Sequence, residues 1–158
     1  VGSEMCIRDR IDWSLLEKNK DLFEFFKFMI DYRKKHPVIR KKLDNAVCGM
    51  EAMHAHDVNA ERMEVPQNAK TLAVSFAGYD RKKGKDDLVY VAVNAYWEEV
   101  KITLPNLTNH GAWYLSVDTY GDEKGKYFYQ EGEEIRIDRE YVMKPRSIVV
   151  FTGREILR

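Results

Sequence analysis

The stretch that decides the fold is Asn19–Pro37, which reads NKDLFEFFKFMIDYRKKHP. Its large apolar residues recur every three or four positions, which is typical of a helix with one apolar face. The members of this face are Leu22, Phe25, Phe26, Met29 and Ile30, and Phe23 and Phe28 widen it. We predict a helix with Asn19 as its N-cap that ends before Pro37, because proline disfavours helical backbone at the preceding residue.

A short helical turn is predicted just upstream of this helix. Ser14 and Glu17 have the spacing of a capping box, in which each side chain pairs with a backbone N–H of the other residue. The apolar face of the main helix is too wide for the small β-domain that follows it. We therefore expect the chain to be a piece of a larger protein, cut just before this helix.

From Thr71 onward the period changes from helical spacing to alternation, which is typical of β-strands. In the first of these segments Leu72, Val74 and Phe76 share one face, whereas Leu88–Asn94 is apolar on both faces and predicts a central strand. Further short strands are predicted at Val100–Leu104, Trp113–Val117, Tyr127–Tyr129, Glu134–Ile137 and Ser147–Phe151. Within Trp113–Val117, the shared parity of Trp113, Leu115 and Val117 predicts that all three face the core. This pattern favours a mainly β fold, an antiparallel sandwich or barrel.

Composition excludes several classes of partner. The 158 residues carry 26 lysines and arginines and 26 aspartates and glutamates, so the net charge gives no argument for nucleic acid or an anionic membrane. No apolar run approaches the roughly 20 residues of a membrane span. Two cysteines, Cys6 and Cys48, do not make a disulfide framework. The first ten residues, VGSEMCIRDR, match nothing around them, and we interpret them as a non-native, adapter-derived tail.

Two groups of side chains are candidates for a binding site. His54, His56 and Asp57 form an HxHD cluster, and a strand would place both histidines on one face, as two metal ligands require. A third ligand at a defined spacing is not evident, so we predict no metal site and no cofactor. Trp97 follows a strand beside two glutamates, and an exposed indole there could stack on a sugar ring.

A family resemblance emerges from the order and spacing of several motifs. They are Ile11–Ser14, the helix end Tyr32–Arg40, Val91–Trp97, Leu104–Pro105, Trp113–Thr119 and Tyr141–Val150. Together they resemble the debranching enzymes of the α-amylase superfamily, glycoside hydrolase family 13: isoamylase, the glycogen-operon debranching protein and type I pullulanase. In that family a TIM-type α/β barrel is followed by a C-terminal antiparallel β-sandwich with Greek-key connections.

The resemblance implies a division of the chain into three parts. Residues 1–10 are the non-native tail, 11–47 are the last helix of a truncated barrel with its linker, and 48–158 are the C-terminal sandwich. The family's catalytic carboxylates lie on barrel strands that precede this sequence, so no residue here inherits a catalytic role and the chain alone is expected to be inactive. Trp13 would lie on the loop after the eighth barrel strand, which makes it a second weak candidate for substrate binding.

The resemblance leaves several functions open. The leading interpretation is the C-terminal part of a glycogen, starch or pullulan debranching hydrolase, with a structural role for the sandwich against the missing barrel. The alternatives are a non-catalytic α-glucan-binding module and the same domain from an α-1,4-acting amylase. We expect a bacterial cytoplasmic location. The candidate partners of the isolated chain are an α-glucan and a second copy of the chain that covers the helix face of Leu22, Phe25, Phe26, Met29 and Ile30.

Overall fold

The computed structural model describes residues 12–62, 64–107 and 111–154. This part of the chain opens with helix α1, Leu15–Lys18, helix α2, Lys20–Lys35, and a 3₁₀ turn, Pro37–Ile39. Eight strands follow: β1 Met53–His56, β2 Thr71–Asp80, β3 Lys85–Asn94, β4 Val100–Thr103, β5 Ala112–Asp118, β6 Ile135–Ile137, β7 Glu140–Met143 and β8 Ser147–Arg154. Neither α-helix of the described ranges has the length and apolar character needed to cross a membrane.

The strands form two antiparallel sheets that face each other. Six strands pair in the order β1-β2-β3-β8-β5-β6, and β4 pairs with β7 in the second sheet. Strand β8 lies between β3 and β5 in the six-stranded sheet. Because β4 and β7 belong to the second sheet, the chain passes repeatedly from one sheet to the other, as in Greek-key sandwiches. The predicted fold class, a mainly β antiparallel sandwich preceded by one long amphipathic helix, is confirmed.

Large apolar side chains from both sheets fill the space between them. Tyr90, Trp113 and Phe151 enter from the six-stranded sheet, and Ile102 and Met143 enter from the two-stranded sheet. Trp113 is 1% exposed, and its indole N–H donates to the backbone carbonyl of Pro105 at 2.7 Å. The expectation that Trp113 belongs to the core is therefore confirmed.

Strand β3 is central, as the sequence predicted. It pairs with β2 on one side and β8 on the other. Its alternate residues Leu88, Tyr90 and Ala92 face the second sheet, whereas Val89 and Val91 belong to a second apolar cluster on the outer face. Both faces of β3 are covered, which explains its continuous apolar sequence.

The expected parity of β5 is wrong at Val117. The pairing of β5 with β8 shifts between Leu115 and Val117, which makes Ser116 the extra residue of a β-bulge. Leu115 lies in the core between the sheets, whereas Val117 lies in the outer cluster. A single inserted residue reverses the face of every residue after it, and the period of the sequence does not reveal this.

The segment Tyr127–Tyr129 also differs from its prediction. It is not a strand, and only Phe128 makes an isolated bridge, to Val117. Tyr129 is buried in the core between the sheets, while Phe128 stacks on Phe28 of α2 with ring centroids 4.6 Å apart. The segment thus joins the sandwich to the helix.

Helix α2 lies on the outer face of the six-stranded sheet. Tyr32 is buried there, and Phe25, Phe28 and Met29 are half-buried against an apolar cluster of strand residues. The strand members of the cluster are Phe76, Val89, Val91, Val117 and Val150. The prediction of the helix and its bounds is confirmed, with Asn19 at the N-cap and His36 at the C-cap.

The predicted capping interactions are wrong, although both helices begin where expected. Ser14 precedes α1, but its hydroxyl donates to Asp12 Oδ1 at 2.6 Å rather than forming a capping box with Glu17. The Asn19 amide donates to the carbonyl of Leu15 at 2.9 Å and does not cap α2. In both cases a nearer local partner competes for the polar side chain.

Candidate functional site

The junction between α2 and the sheet contains a buried chain of hydroxyl groups. The Tyr32 phenol and the Thr152 hydroxyl of β8 are hydrogen-bonded at 2.8 Å, and Thr152 makes a second bond of 2.8 Å with Ser116 at the bulge. Burial raises the pKa of Tyr32, so the phenol stays protonated at any physiological pH. These contacts fix the helix at one position over β5 and β8.

A buried carboxylate holds the C-terminal end of the helix. Asp87 of β3 accepts a hydrogen bond from His36 Nδ1 at 2.6 Å and another from the backbone N–H of Val38 at 3.1 Å. The His36 ring also contacts Tyr32, with centroids 4.3 Å apart. The sequence HPV after the helix therefore attaches the end of the helix to the sheet, because the His36 ring and the backbone N–H of Val38 bind the same carboxylate.

The apolar residues of α2 are divided between two faces. Of the five residues predicted to form one exposed face, Phe25 and Met29 are half-buried against the sheet. Leu22, Phe26 and Ile30 point away from it, and Phe26 and Ile30 are 58% and 55% exposed. Phe23 is also exposed. We call Leu22, Phe23, Phe26 and Ile30 the outer face of α2.

The two tryptophans proposed as substrate-binding candidates lie on different elements. Trp13 precedes α1 and is 73% exposed, and Trp97 lies on the loop between β3 and β4 and is 63% exposed. Trp97 contacts the ring of Tyr96, with centroids 4.1 Å apart, and the Lys70 ammonium lies 3.8 Å from the Tyr96 centroid. Both indoles remain candidates. The contact between Lys70 and Tyr96 was not predicted, because the two residues lie far apart along the chain.

The histidines of the HxHD cluster lie on one face of β1, and their rings stack with centroids 5.9 Å apart. His56 is fully buried beside Tyr90, and its Nδ1–H donates to the carbonyl of Asp57 at 2.7 Å. Burial lowers the pKa of His56. The Asp57 carboxylate accepts the hydroxyl of Thr71. Within residues 12–62, 64–107 and 111–154, no three His, Cys, Asp or Glu side chains are arranged to hold a metal ion.

Several carboxylates have structural partners. Asp86 accepts the backbone N–H groups of Val47 and Cys48, both at 2.8 Å. Asp118 accepts the backbone N–H of Tyr120 at 2.9 Å and the phenol of Tyr141 at 2.7 Å. These bonds attach loops to strand ends, which is a role in stability rather than in chemistry.

The fold and the helix junction define a β-sandwich module that carries an amphipathic helix on one sheet, and comparison with known proteins identifies its family. The chain belongs to the isoamylase C-terminal family, whose sequence model, described as "Isoamylase, C-terminal", matches residues 47–152. Isoamylase 3, a chloroplastic protein of Oryza sativa subsp. japonica, is 28% identical over 119 residues, which are 75% of this chain and 14% of that relative. The resemblance to debranching enzymes is confirmed, and the chain spans a small part of the length of its curated relative.

Proposed function

We propose that this chain forms the C-terminal part of a glycoside hydrolase that debranches glycogen, starch or pullulan by hydrolysing α-1,6-glucosidic bonds. The family match, the similarity to an isoamylase and the sandwich fold support this proposal. The reaction needs two carboxylates across the scissile bond. In this proposal those carboxylates belong to a catalytic barrel that precedes the helix, and the chain alone is inactive.

The outer face of α2 is the observation that carries this proposal. One side of the helix is bound to the sandwich through Tyr32, Phe28 and the Asp87 carboxylate. The other side presents Phe26 and Ile30, each more than half exposed. Contiguous exposed apolar side chains mark an interaction surface. A helix with two apolar faces is suited to join two bodies, and we propose that the second body is the barrel.

The role of the sandwich in this proposal is structural. It holds the last barrel helix from outside, so the barrel wall and the sandwich share one element. Because the sandwich itself does not select the bond to be cleaved, an α-1,4-acting amylase is the second candidate. Substrate preference separates the two, since a debranching enzyme releases linear chains from amylopectin and leaves amylose intact.

The experiment compares this chain with the longer protein obtained by extending its reading frame upstream of Ile11. We expect the longer protein to release reducing ends from amylopectin and pullulan, and the 158-residue chain to release none. Cleavage of amylose with intact α-1,6 bonds would favour the second candidate. An upstream reading frame without barrel sequence, or activity of the short chain, would contradict the proposal.

Substitution of the outer face tests the structural role directly. In the longer protein, Phe26→Asp places an unpaired charge in the proposed contact and should lower the free energy of unfolding by about 3 kcal/mol or more. In the short chain, measured at a concentration low enough to keep it monomeric, the same side chain is exposed, so the change should be close to neutral. Lys27→Asp, at a polar position of the same helix, is the matched control and should have little effect in either protein.

The short chain leaves the outer face without the proposed cover. We propose that it self-associates through Leu22, Phe26 and Ile30, and that Phe26→Asp restores a monomer in sedimentation measurements. A wild-type chain that sediments as a monomer over a wide concentration range would contradict this part of the proposal.

A bacterial cytoplasmic location is likewise proposed. It is supported by the low cysteine content, since the whole sequence has two cysteines.

A further inference from the structure

We propose that the hollow beside Tyr96 and Trp97 is a non-catalytic α-glucan-binding site. In this site a pyranose ring stacks on the exposed indole of Trp97, and its hydroxyl groups hydrogen-bond to Lys70 and Asn68. The site lies on the sandwich, at the loop between β3 and β4. The choice of an α-glucan as the sugar rests on the proposed function, whereas the choice of a sugar rests on the groups that surround the hollow.

The exposure of Trp97 is the first observation. This indole is 63% exposed, while Trp113 of the same sandwich is 1% exposed. A large aromatic ring left in water forgoes the stabilisation that burial would give it. Its neighbour Tyr96 is half-buried and contacts it at a tilt of 41°. The pair therefore forms an aromatic surface in which the Tyr96 ring is half-buried and the Trp97 ring is exposed to solvent.

The loop that carries this pair is held in place by a buried amide. Asn94, which is almost fully buried, donates to the backbone carbonyls of Glu98 and Lys144 at 2.9 and 3.0 Å. The side-chain oxygen Oδ1 of Asn94 accepts a hydrogen bond from the backbone N–H of Tyr96 at 2.9 Å. The rings are therefore presented by a fixed backbone, and little conformational entropy would be lost when a ligand binds.

A hollow of about 220 Å³ lies next to the Tyr96 ring, and most of its exposed lining is apolar, with a few polar side chains among it. Its lining includes Asp57, Asn68 and Lys70, and the last two side chains are exposed. The Lys70 ammonium lies 3.8 Å from the Tyr96 centroid and 5.2 Å from the Trp97 centroid, so it stays beside the aromatic surface. The backbone carbonyl of Lys70 accepts the N–H of Ala95 at 2.9 Å, which joins the two loops.

This combination of groups fits a neutral sugar better than a charged polymer. A pyranose offers an apolar C–H face to an indole and hydroxyl groups at its edge to amide and ammonium donors. Glu98 and Glu99 follow Trp97 directly, and Asp57 lines the hollow, so the phosphates of a nucleic acid would meet negative charge. A glucan carries no charge and avoids that penalty.

Calorimetric titration of the 158-residue chain with maltoheptaose tests the proposal. We expect saturable binding with a Kd in the millimolar range and quenching of the tryptophan emission. Trp97→Ala should abolish the heat signal, and Asn68→Ala or Lys70→Met should weaken binding by about tenfold. Tyr120→Ala, which removes an aromatic ring that is 57% exposed on another loop, is the matched control and should bind as the wild type does.

Two results would overturn the proposal. One is an absence of saturable heat with the wild-type chain, and the other is unchanged binding by a folded Trp97→Ala variant. Circular dichroism of each variant shows whether the sandwich is intact. Neither result affects the debranching proposal, because that proposal is tested by the activity of the longer protein on amylopectin. A longer protein that debranches but whose sandwich binds no maltoheptaose would refute the site alone.

Discussion

The attachment of α2 to the sandwich should depend strongly on the Asp87 carboxylate, which can be tested by Asp87→Ala. This buried side chain accepts one hydrogen bond from His36 and one from the backbone N–H of Val38. The charge-assisted bond to His36 is worth about 1.5–3 kcal/mol, and the unpaired N–H of buried Val38 costs about 1–3 kcal/mol. We therefore expect the free energy of unfolding to fall by about 3–5 kcal/mol, in line with other broken buried pairs.

The assay is urea denaturation of the wild type and the variant, followed by circular dichroism, together with amide hydrogen exchange. Protection of the amides in α2 should fall more than that of the amides in β3, because the helix detaches before the sheet opens. Asp87→Asn keeps one oxygen acceptor and should cost about 1–3 kcal/mol. Asp138→Ala, at a side chain that is 96% exposed, is the surface control and should stay within about 0.5 kcal/mol of the wild type. A similarly small effect of Asp87→Ala would refute the anchoring role.

Three further outcomes follow from contacts in the sandwich. Burial holds the pKa of His56 below its ordinary 6.5, so the unfolded chain binds a proton more readily than the folded chain does. The contribution of His56 to the free energy of unfolding should therefore be full above pH 6.5 and decrease below it. Denaturation measured across pH should show a weaker pH dependence in His56→Phe. The backbone N–H groups of Lys126 and Lys124 lower the pKa of Asp122 below its ordinary 3.8. The carboxylate therefore stabilises its turn above pH 3.8 and loses this role as the pH falls through the lowered pKa. The amide chemical shifts of Lys124 and Lys126 should titrate in the wild type and not in Asp122→Asn. In Gly153→Ala the new Cβ would lie 2.8 Å from the Leu88 Cβ, so the free energy of unfolding should fall by about 1–3 kcal/mol and Tm should fall with it. An unchanged Tm would show that β3 and β8 can separate to admit the methyl group.

The elements with a strong local period could be predicted from the sequence. The helix at Lys20–Lys35 and the central strand could be predicted because their apolar residues recur with a clear spacing, although the strand was predicted only from Leu88 to Asn94 and begins at Lys85. Strand β1 was considered only as an edge strand that would carry the histidines, because its four residues MHAH give no clear signal: the histidine side is covered, and Met53 and Ala55 are exposed. It forms because β2 offers it four paired positions, from Met53 opposite Phe76 to His56 opposite Ala73. Such a strand is specified by its neighbour rather than by its own sequence.

The candidate site was only partly accessible from the sequence. The exposed position of Trp97 at a strand end was inferred, and it is confirmed by the structure. The role of Asp87 could not be inferred, because His36 binds it across 51 positions of the chain. The division of the helix into two apolar faces was also missed, since a wide stripe gives no sign of which residues the sheet will cover. Contacts between distant segments decide these features, and local periodicity does not encode them.

The bond between Tyr32 and Thr152 spans 120 positions and has a consequence for biosynthesis. The helix leaves the ribosome well before β8, which supplies part of its binding surface. Until that strand emerges, the four side chains of the helix that pack on the sheet, Phe25, Phe28, Met29 and Tyr32, lack part of their binding surface. Long-range pairing of this kind is slow and exposed to aggregation. Productive folding in the cell therefore depends on protecting the sheet-facing side of this helix from other contacts until β8 is made.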